Sequence, residues 1–146
     1  MRKQINIVHP KDKQGMENFT NLLYTDIDSV PNYSVDFIFC ACLNRIGNNN
    51  KAPDLLSNIL KKIRLGGQGV LIIYNVKQAC KLYLDSVLDS QTFFNVIKDC
   101  SGELVIETLV EVLTKQEYHI TSIKTQTIET AIHFERRVCS INTPTA

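Results

Sequence analysis

The sequence is short of most features that assign a function at sight. It has no surplus of charge: 16 basic and 15 acidic side chains leave a formal net charge of +1. A general nucleic-acid binder shows a basic excess on one face, so nucleic acid is not indicated as a partner, although a local patch is compatible with a balanced total. No apolar run approaches the roughly 20 residues that span a bilayer, so no membrane role is expected. The opening MRKQINIVHP carries too few apolar residues before Pro10 for a secretory leader, and a cytoplasmic location is the expectation. There is no C-x-x-C: Cys40 and Cys42 form a C-x-C inside an apolar run, and Cys80, Cys100 and Cys139 are scattered. That spacing lacks the ligands of a metal site, so no metal is expected, and free, mostly buried thiols that pack as small hydrophobes are the reading. His119-Ile120-Thr121 has no second H-x-T/S to complete a two-histidine phosphoesterase signature.

What remains is an ordinary globular composition, with 44% hydrophobic and 21% charged residues. A chain of 146 residues is expected to form one domain, and such a length buries roughly two thirds of its unfolded surface.

The order of elements is more informative. QINIVH (4–9) is short and β-branched and is stopped by Pro10, which predicts a strand. KDKQGMEN (11–18) is polar and reads as loop, and TNLLYTDI (20–27) as a second strand closed by Asp28, Ser29 and Pro31. VDFIFCACL (35–43) is almost continuously apolar, as a parallel strand covered on both faces would be. The period then changes: in APDLLSNILKKIRL (52–65), Leu55, Leu56, Ile59, Leu60 and Ile63 share one helical face. Pro53 suits the first turn, Asp54 the positive end of the dipole, and Lys61, Lys62 and Arg64 the negative end. Gly66, in the left-handed conformation, is expected to end this helix before the buried strand GVLIIYN (69–75).

Residues 77–100 read as two short helices joined near Asp89 and Ser90, with Ser90 as an N-cap. GELVIETLVEVLTKQ (102–116) reads as a helix capped by Ser101. YHITSIKT and TIETAIHFERR close the chain as a strand pair. In the second, Ile128, Thr130, Ile132 and Phe134 alternate with Glu129, Ala131, His133 and Glu135, the pattern of a half-buried edge strand. Strands alternating with helices imply a three-layer α/β/α sandwich, its sheet mostly parallel with an antiparallel C-terminal edge strand.

This order resembles class I S-adenosylmethionine-dependent methyltransferases from residue 20 to residue 137. The resemblance lies in VPNYSVDFIFCACLNRI, a helix, IRLGGQGVLIIYN, a helix ending LTKQEYHITSI, and a final TAIHFERR. In that family an aspartate opens the fourth strand and L-x-P-G-G-x-L-x-I leads into the fifth. Asp36 and Leu65-Gly66-Gly67 stand at those places, with the proline replaced. The resemblance implies a Rossmann-like fold, and S-adenosylmethionine as cofactor if the domain is active. The family holds the methionine moiety with a glycine-rich loop after the first strand, where backbone must approach ligand closely. Here HPKDKQGM supplies Gly15 alone, and Pro10 removes a donor. Residues 10–19 are too few for a crossover with its helix. The family's L-E-H-I after the fourth strand is replaced by Leu43-Asn44-Arg45-Ile46.

The cofactor-binding candidates are His9, which ends the first strand on the ligand side, Asp26 and Asp28, either of which the resemblance would make the acidic residue at the ribose, and Asn44 after the carboxyl end of a buried strand. No catalytic residue is indicated. Asp26 and Asp28 either grip a ribose or bond their own backbone in the turn DIDSVP. Asn44, Arg45 and Asn75 follow the carboxyl ends of buried strands, where α/β sheets take ligands, or are plain loop residues. His119 and His133 read as structural or surface residues, and Glu135-Arg136-Arg137 either meets phosphates or guards a sheet edge. The departures imply a truncated domain with no cofactor, acting as a binding or structural module with a protein partner or by self-association. The alternative is a small active S-adenosylmethionine-dependent methyltransferase.

Overall fold

In the computed structural model, which describes residues 2–11, 15–45, 51–99, 106–116 and 118–137, the β-branched and aromatic runs join into one six-stranded sheet. Its strands are β1 (Gln4–Val8), β2 (Thr20–Leu23), β3 (Val35–Cys40), β4 (Ile63–Tyr74), β5 (His119–Gln126) and β6 (Glu129–Glu135). The order across the sheet is β2-β1-β3-β4-β6-β5. The first four pair in parallel, and β6 is antiparallel to both its neighbours. The helices are α1 (Lys51–Lys62), α2 (Val76–Leu84), α3 (Ser90–Asp99) and α4 (Ile106–Lys115).

The mixed α/β architecture and the antiparallel final strand are as expected, but that strand sits one place in from the edge. β6 lies between β4 and β5, and β5 takes the edge. Its alternation reports something else: Thr130, Ile132 and Phe134 are sealed in the core while Glu129 and His133 on the other face are exposed. A strand in the middle of a sheet alternates in this way whenever only one face is covered.

The helix layers are correspondingly unequal. Ile5, Ile7, Ile38, Cys40, Leu71 and Ile73 point into one core with Leu56, Ile59 and Leu60 of α1 and Leu109 and Leu113 of α4. On the opposite face Phe37, Phe39, Ile72 and Tyr74 are half-buried. Handedness explains the difference. A right-handed crossover to one side of β1 lies on one face, and a crossover to the other side lies on the other. The connections β2→β3 and β3→β4 run the same way, so the 3-10 turn Tyr24–Ser29 joins α1 in the core through Ile27. The connection β1→β2 runs the other way through residues 9–19, too short for a helix. It contributes Phe19, which meets Phe37 edge-on with ring centroids 5.9 Å apart.

Three boundaries differ from the sequence reading, each for a local reason. The second strand ends at Leu23 because the next residues turn to bury Ile27. α1 ends at Lys62 and β4 begins at Ile63, so Gly66 does not end the helix. Val35 pairs with Ile63 but Phe37 with Gln68, so residues 64–67 form a bulge within β4. Gly66 has φ 81 inside that bulge, and a Cβ on Gly67 would lie 2.9 Å from the Arg64 carbonyl. Asp89, not Ser90, caps α3: its carboxylate accepts the Thr92 N–H at 2.7 Å and the Thr92 hydroxyl at 3.0 Å. Ser101 as a cap for α4 lies outside the described residues, as do Cys100 and Cys139. Among the described residues Cys40, Cys42 and Cys80 form no disulfide, and the first two are buried.

Tyr118, just before β5, donates its hydroxyl to the Leu60 carbonyl and stacks edge-on against Phe134 at 5.4 Å. Burial pushes its pKa from 10.0 up to about 12. A group whose folded pKa is raised contributes stability that is whole below its unfolded value and is lost as pH climbs through the folded one. The melting temperature is therefore expected to fall as pH rises from 10.0 toward about 12. Tyr118→Phe should flatten that fall; parallel alkaline profiles for the two proteins would assign the loss to other groups.

Candidate functional site

The four parallel strands end at one edge of the sheet, and the residues that follow them stand there together: His9, Tyr24, Ala41 and Asn75. β1 is the switch point, since the chain leaves it toward β2 on one side and β3 on the other. Open α/β sheets take ligands in the crevice outside such carboxyl ends.

The candidates divide between separate places along this edge. His9 is half-buried, its ring stacked on Tyr24 at 5.8 Å, and its Nδ1 accepts the Lys11 N–H at 3.1 Å. Asp26 and Asp28 are exposed in the 3-10 turn, where Ser29 Oγ donates to the Asp26 carbonyl at 2.6 Å. Asp28 borders a cleft of about 310 Å³ that also takes in Tyr24, Asp54 and Asn58. Asn44 lines a different cleft, of about 270 Å³, with Ala41, Ile72, Tyr74 and Glu129. The structure thus links His9 to Asp28 through Tyr24 and leaves Asn44 apart.

Asn44 has a definite job of its own. β4 runs on to Tyr74 while β3 stops at Cys40, so the Tyr74 N–H on that side has passed the end of the ladder. Asn44 Oδ1 accepts it at 2.8 Å, from a side chain only 8% exposed. Asn75 is also structural: its Oδ1 caps α2 by accepting the Gln78 N–H at 3.0 Å. Its Nδ2 lies 3.4 Å from both Thr125 and Thr130, whose hydroxyls meet across the β5–β6 pair at 2.8 Å. The Arg45 side chain lies outside the described residues. His119 and His133 are exposed on β5 and β6, away from this edge of β1 and β3.

The segment after β1 has a centre that sequence reasoning missed, Asn21 on β2. Its Oδ1 accepts the Met16 N–H at 2.9 Å and the Asn6 side-chain amide at 2.9 Å. Its Nδ2 donates to the carbonyls of Met16 at 3.3 Å and Phe19 at 3.4 Å. A Cβ on Gly15 would lie 2.4 Å from Asn21 Nδ2, so the one glycine of this loop makes room for a side chain of the same protein. A signal was available: asparagine is depleted in strands, yet Asn6 and Asn21 stand at paired positions of β1 and β2.

The amino end of the sheet holds Asp36, the strand-opening aspartate. It accepts the Lys3 N–H at 2.6 Å and pairs with Arg64. The Lys3 N–H first, and the guanidinium second, hold its carboxyl below the ordinary carboxylate value.

No family model and no curated protein sequence matches the chain. Solved structures do match its fold. A SAM-dependent methyltransferase from Archaeoglobus fulgidus aligns with TM-score 0.56 and 10% identity over 91% of this chain and 85% of its own. One from Methanosarcina mazei aligns with TM-score 0.56 and 14% identity over 88% and 71%. An O-methyltransferase family protein from Burkholderia thailandensis aligns with TM-score 0.55 and 12% identity over 82% of this chain and 36% of that one. The chain therefore has the Rossmann-like fold of S-adenosylmethionine-dependent methyltransferases. No helix among the described residues is long and apolar enough to cross a membrane.

Proposed function

We propose that this chain is a degenerate methyltransferase-fold domain that does not hold S-adenosylmethionine. It serves instead as a cytoplasmic binding or structural module, with a protein partner or a second copy of itself. The observation that carries this reading is the arrangement around Asn21. A cofactor cradle needs backbone amides left open and a glycine whose bareness admits the ligand. After β1 the Met16 amide is already taken by Asn21, and the space beside Gly15 is filled by the same side chain. The described residues of this loop do not fit the cofactor.

Calorimetric titration with S-adenosylmethionine is expected to give no binding heat, and thermal unfolding no shift. A ligand present at 100 times its dissociation constant stabilises the folded state by about 2.7 kcal/mol, an effect thermal unfolding reads directly. A micromolar dissociation constant would sink the proposal. Size-exclusion with light scattering addresses self-association, against which a strictly monomeric chain would count.

One observation favours a second reading, a small active methyltransferase: the cleft of about 310 Å³ places Asp28 and Tyr24 beside the carboxyl end of β2. In that case Asp28→Ala would abolish cofactor binding that the unaltered protein shows.

A further inference from the structure

The near-neutral total charge conceals a concentration of cations at the amino ends of the parallel strands. Arg2 and Lys3 precede β1, Lys61 stands at the end of α1, and Arg64 enters β4. The antiparallel β6 brings Arg136 and Arg137 to the same edge, since Gln68 pairs with Glu135. Among the described residues the carboxylates set directly against these are Asp36, paired with Arg64, and Glu135, 2.8 Å from Arg137. Among the described residues Lys3, Lys61 and Arg136 have no carboxylate within ion-pair distance, and Arg136 spends one N–H on the Ile63 carbonyl at 2.8 Å, which leaves its other donors for a ligand. Backbone bonds join the group into one surface: Lys3 to Asp36, Gly66 to Arg136 and back from Arg136 to Gly67, and Tyr33 to Lys61.

Beside Arg136 and Lys61 on this surface stands an exposed aromatic ring. Tyr33 is 58% exposed, and the Arg136 guanidinium lies 4.5 Å from its ring centroid. Its backbone has φ 59, a conformation costly for a bulky residue. It is held there by its own N–H to the Lys61 carbonyl and by the Ser34 N–H to the Lys62 carbonyl, both 3.0 Å. Strained positions of this kind concentrate at binding sites. A shallow cleft of about 140 Å³ lies beside the ring, lined by Lys61, Gln116, Tyr118 and Arg136.

We propose that this basic pole binds single-stranded nucleic acid, a base stacking on Tyr33 and the adjoining phosphates meeting Lys3, Lys61 and Arg136. An acidic polypeptide would use the cations equally well but would have no use for an exposed aromatic plane. Every nucleobase has a π-face, and aromatic platforms flanked by cations are how single strands are held without sequence preference. The pole is at the opposite end of the sheet from His9 and Asp28, so the proposal is independent of whether S-adenosylmethionine binds.

Fluorescence anisotropy of the full chain with a labelled oligodeoxythymidine, and with the matching oligouridine, tests it. Saturable binding is expected at low salt. Three phosphate contacts on a single strand predict a slope of about −2 for log K against log salt. Lys3→Glu with Lys61→Glu should weaken binding by about tenfold or more. Tyr33→Gly should weaken binding severalfold with the salt slope unchanged. Its melting temperature should hold or rise, because glycine accepts positive φ without strain. A binding loss without a folding loss is a result that a purely structural role for Tyr33 does not produce. Absence of saturable binding at low salt, or Tyr33→Gly binding like the unaltered protein, would overturn the proposal. Equal competition by polyglutamate would overturn it too and assign the pole to an acidic polypeptide. The titration with S-adenosylmethionine reads the other end of the sheet, so either proposal can fail alone.

Discussion

Phe134→Ala is expected to lower the unfolding free energy by about 3–5 kcal/mol, the range for emptying an aromatic site in a core. Phe134 is 1% exposed, it meets Tyr118 edge-on at 5.4 Å, and its ring stands over Gly69 on the neighbouring strand. Of the two residues it meets, Tyr118 is tied to the Leu60 carbonyl and Gly69 has no side chain, so neither collapses into the space. For a chain of this size the loss corresponds to a fall in melting temperature on the order of 10 °C. It is a large share of the ~5–15 kcal/mol that hold a typical domain together.

The same contact can be approached from the other strand. A Cβ on Gly69 would lie 2.4 Å from Phe134 Cζ, so Gly69→Ala must displace the ring at a cost of about 1–3 kcal/mol. Combined with Phe134→Leu that cost should largely vanish, giving a coupling free energy well outside additivity. Chemical denaturation of the two single variants and the double variant reads it. Additive losses would show that the glycine and the ring do not meet.

How much of this was legible beforehand follows from what pattern and propensity can report. The helical face of α1 and the apolar runs of β3 and β4 were readable because burial imposes its period directly on the side chains. The place of β6 was not, because alternation records which face is covered and says nothing of which strands lie beside it. Gly66 is legible as a left-handed position, yet its role in a bulge depends on pairing between Val35 and Ile63, a contact remote in sequence. Asn21 is hidden in the sequence for a similar reason. Its four bonds reach Asn6, Met16 and Phe19, and only the folded register of β1 against β2 brings them together. The basic pole was the hardest to see, since Arg2, Lys61 and Arg136 meet only once an antiparallel strand returns to the starting edge of the sheet.

Asn44 shows how a position can match a family's binding site and yet serve the fold. Its replacement by alanine is expected to cost about 1–3 kcal/mol, the penalty for removing the partner of a part-buried backbone donor. The Asn44 side chain is 8% exposed, and its Oδ1 bonds the N–H of half-buried Tyr74 at 2.8 Å where β3 has already ended. Asn44→Asp keeps the acceptor and should recover much of the loss, whereas Asn44→Leu keeps the bulk and should not. That order separates a hydrogen bond from simple packing. Were Asn44 a cofactor ligand, alanine would leave stability nearly untouched and remove a binding signal instead. The hydrogen bond also stands one residue before α2, since Asn75 follows Tyr74 and caps that helix. Loosening Asn44 should therefore raise amide exchange at Gln78 and Ala79 before it is felt at Ile59 or Leu60 in α1, a gradient that hydrogen exchange can resolve.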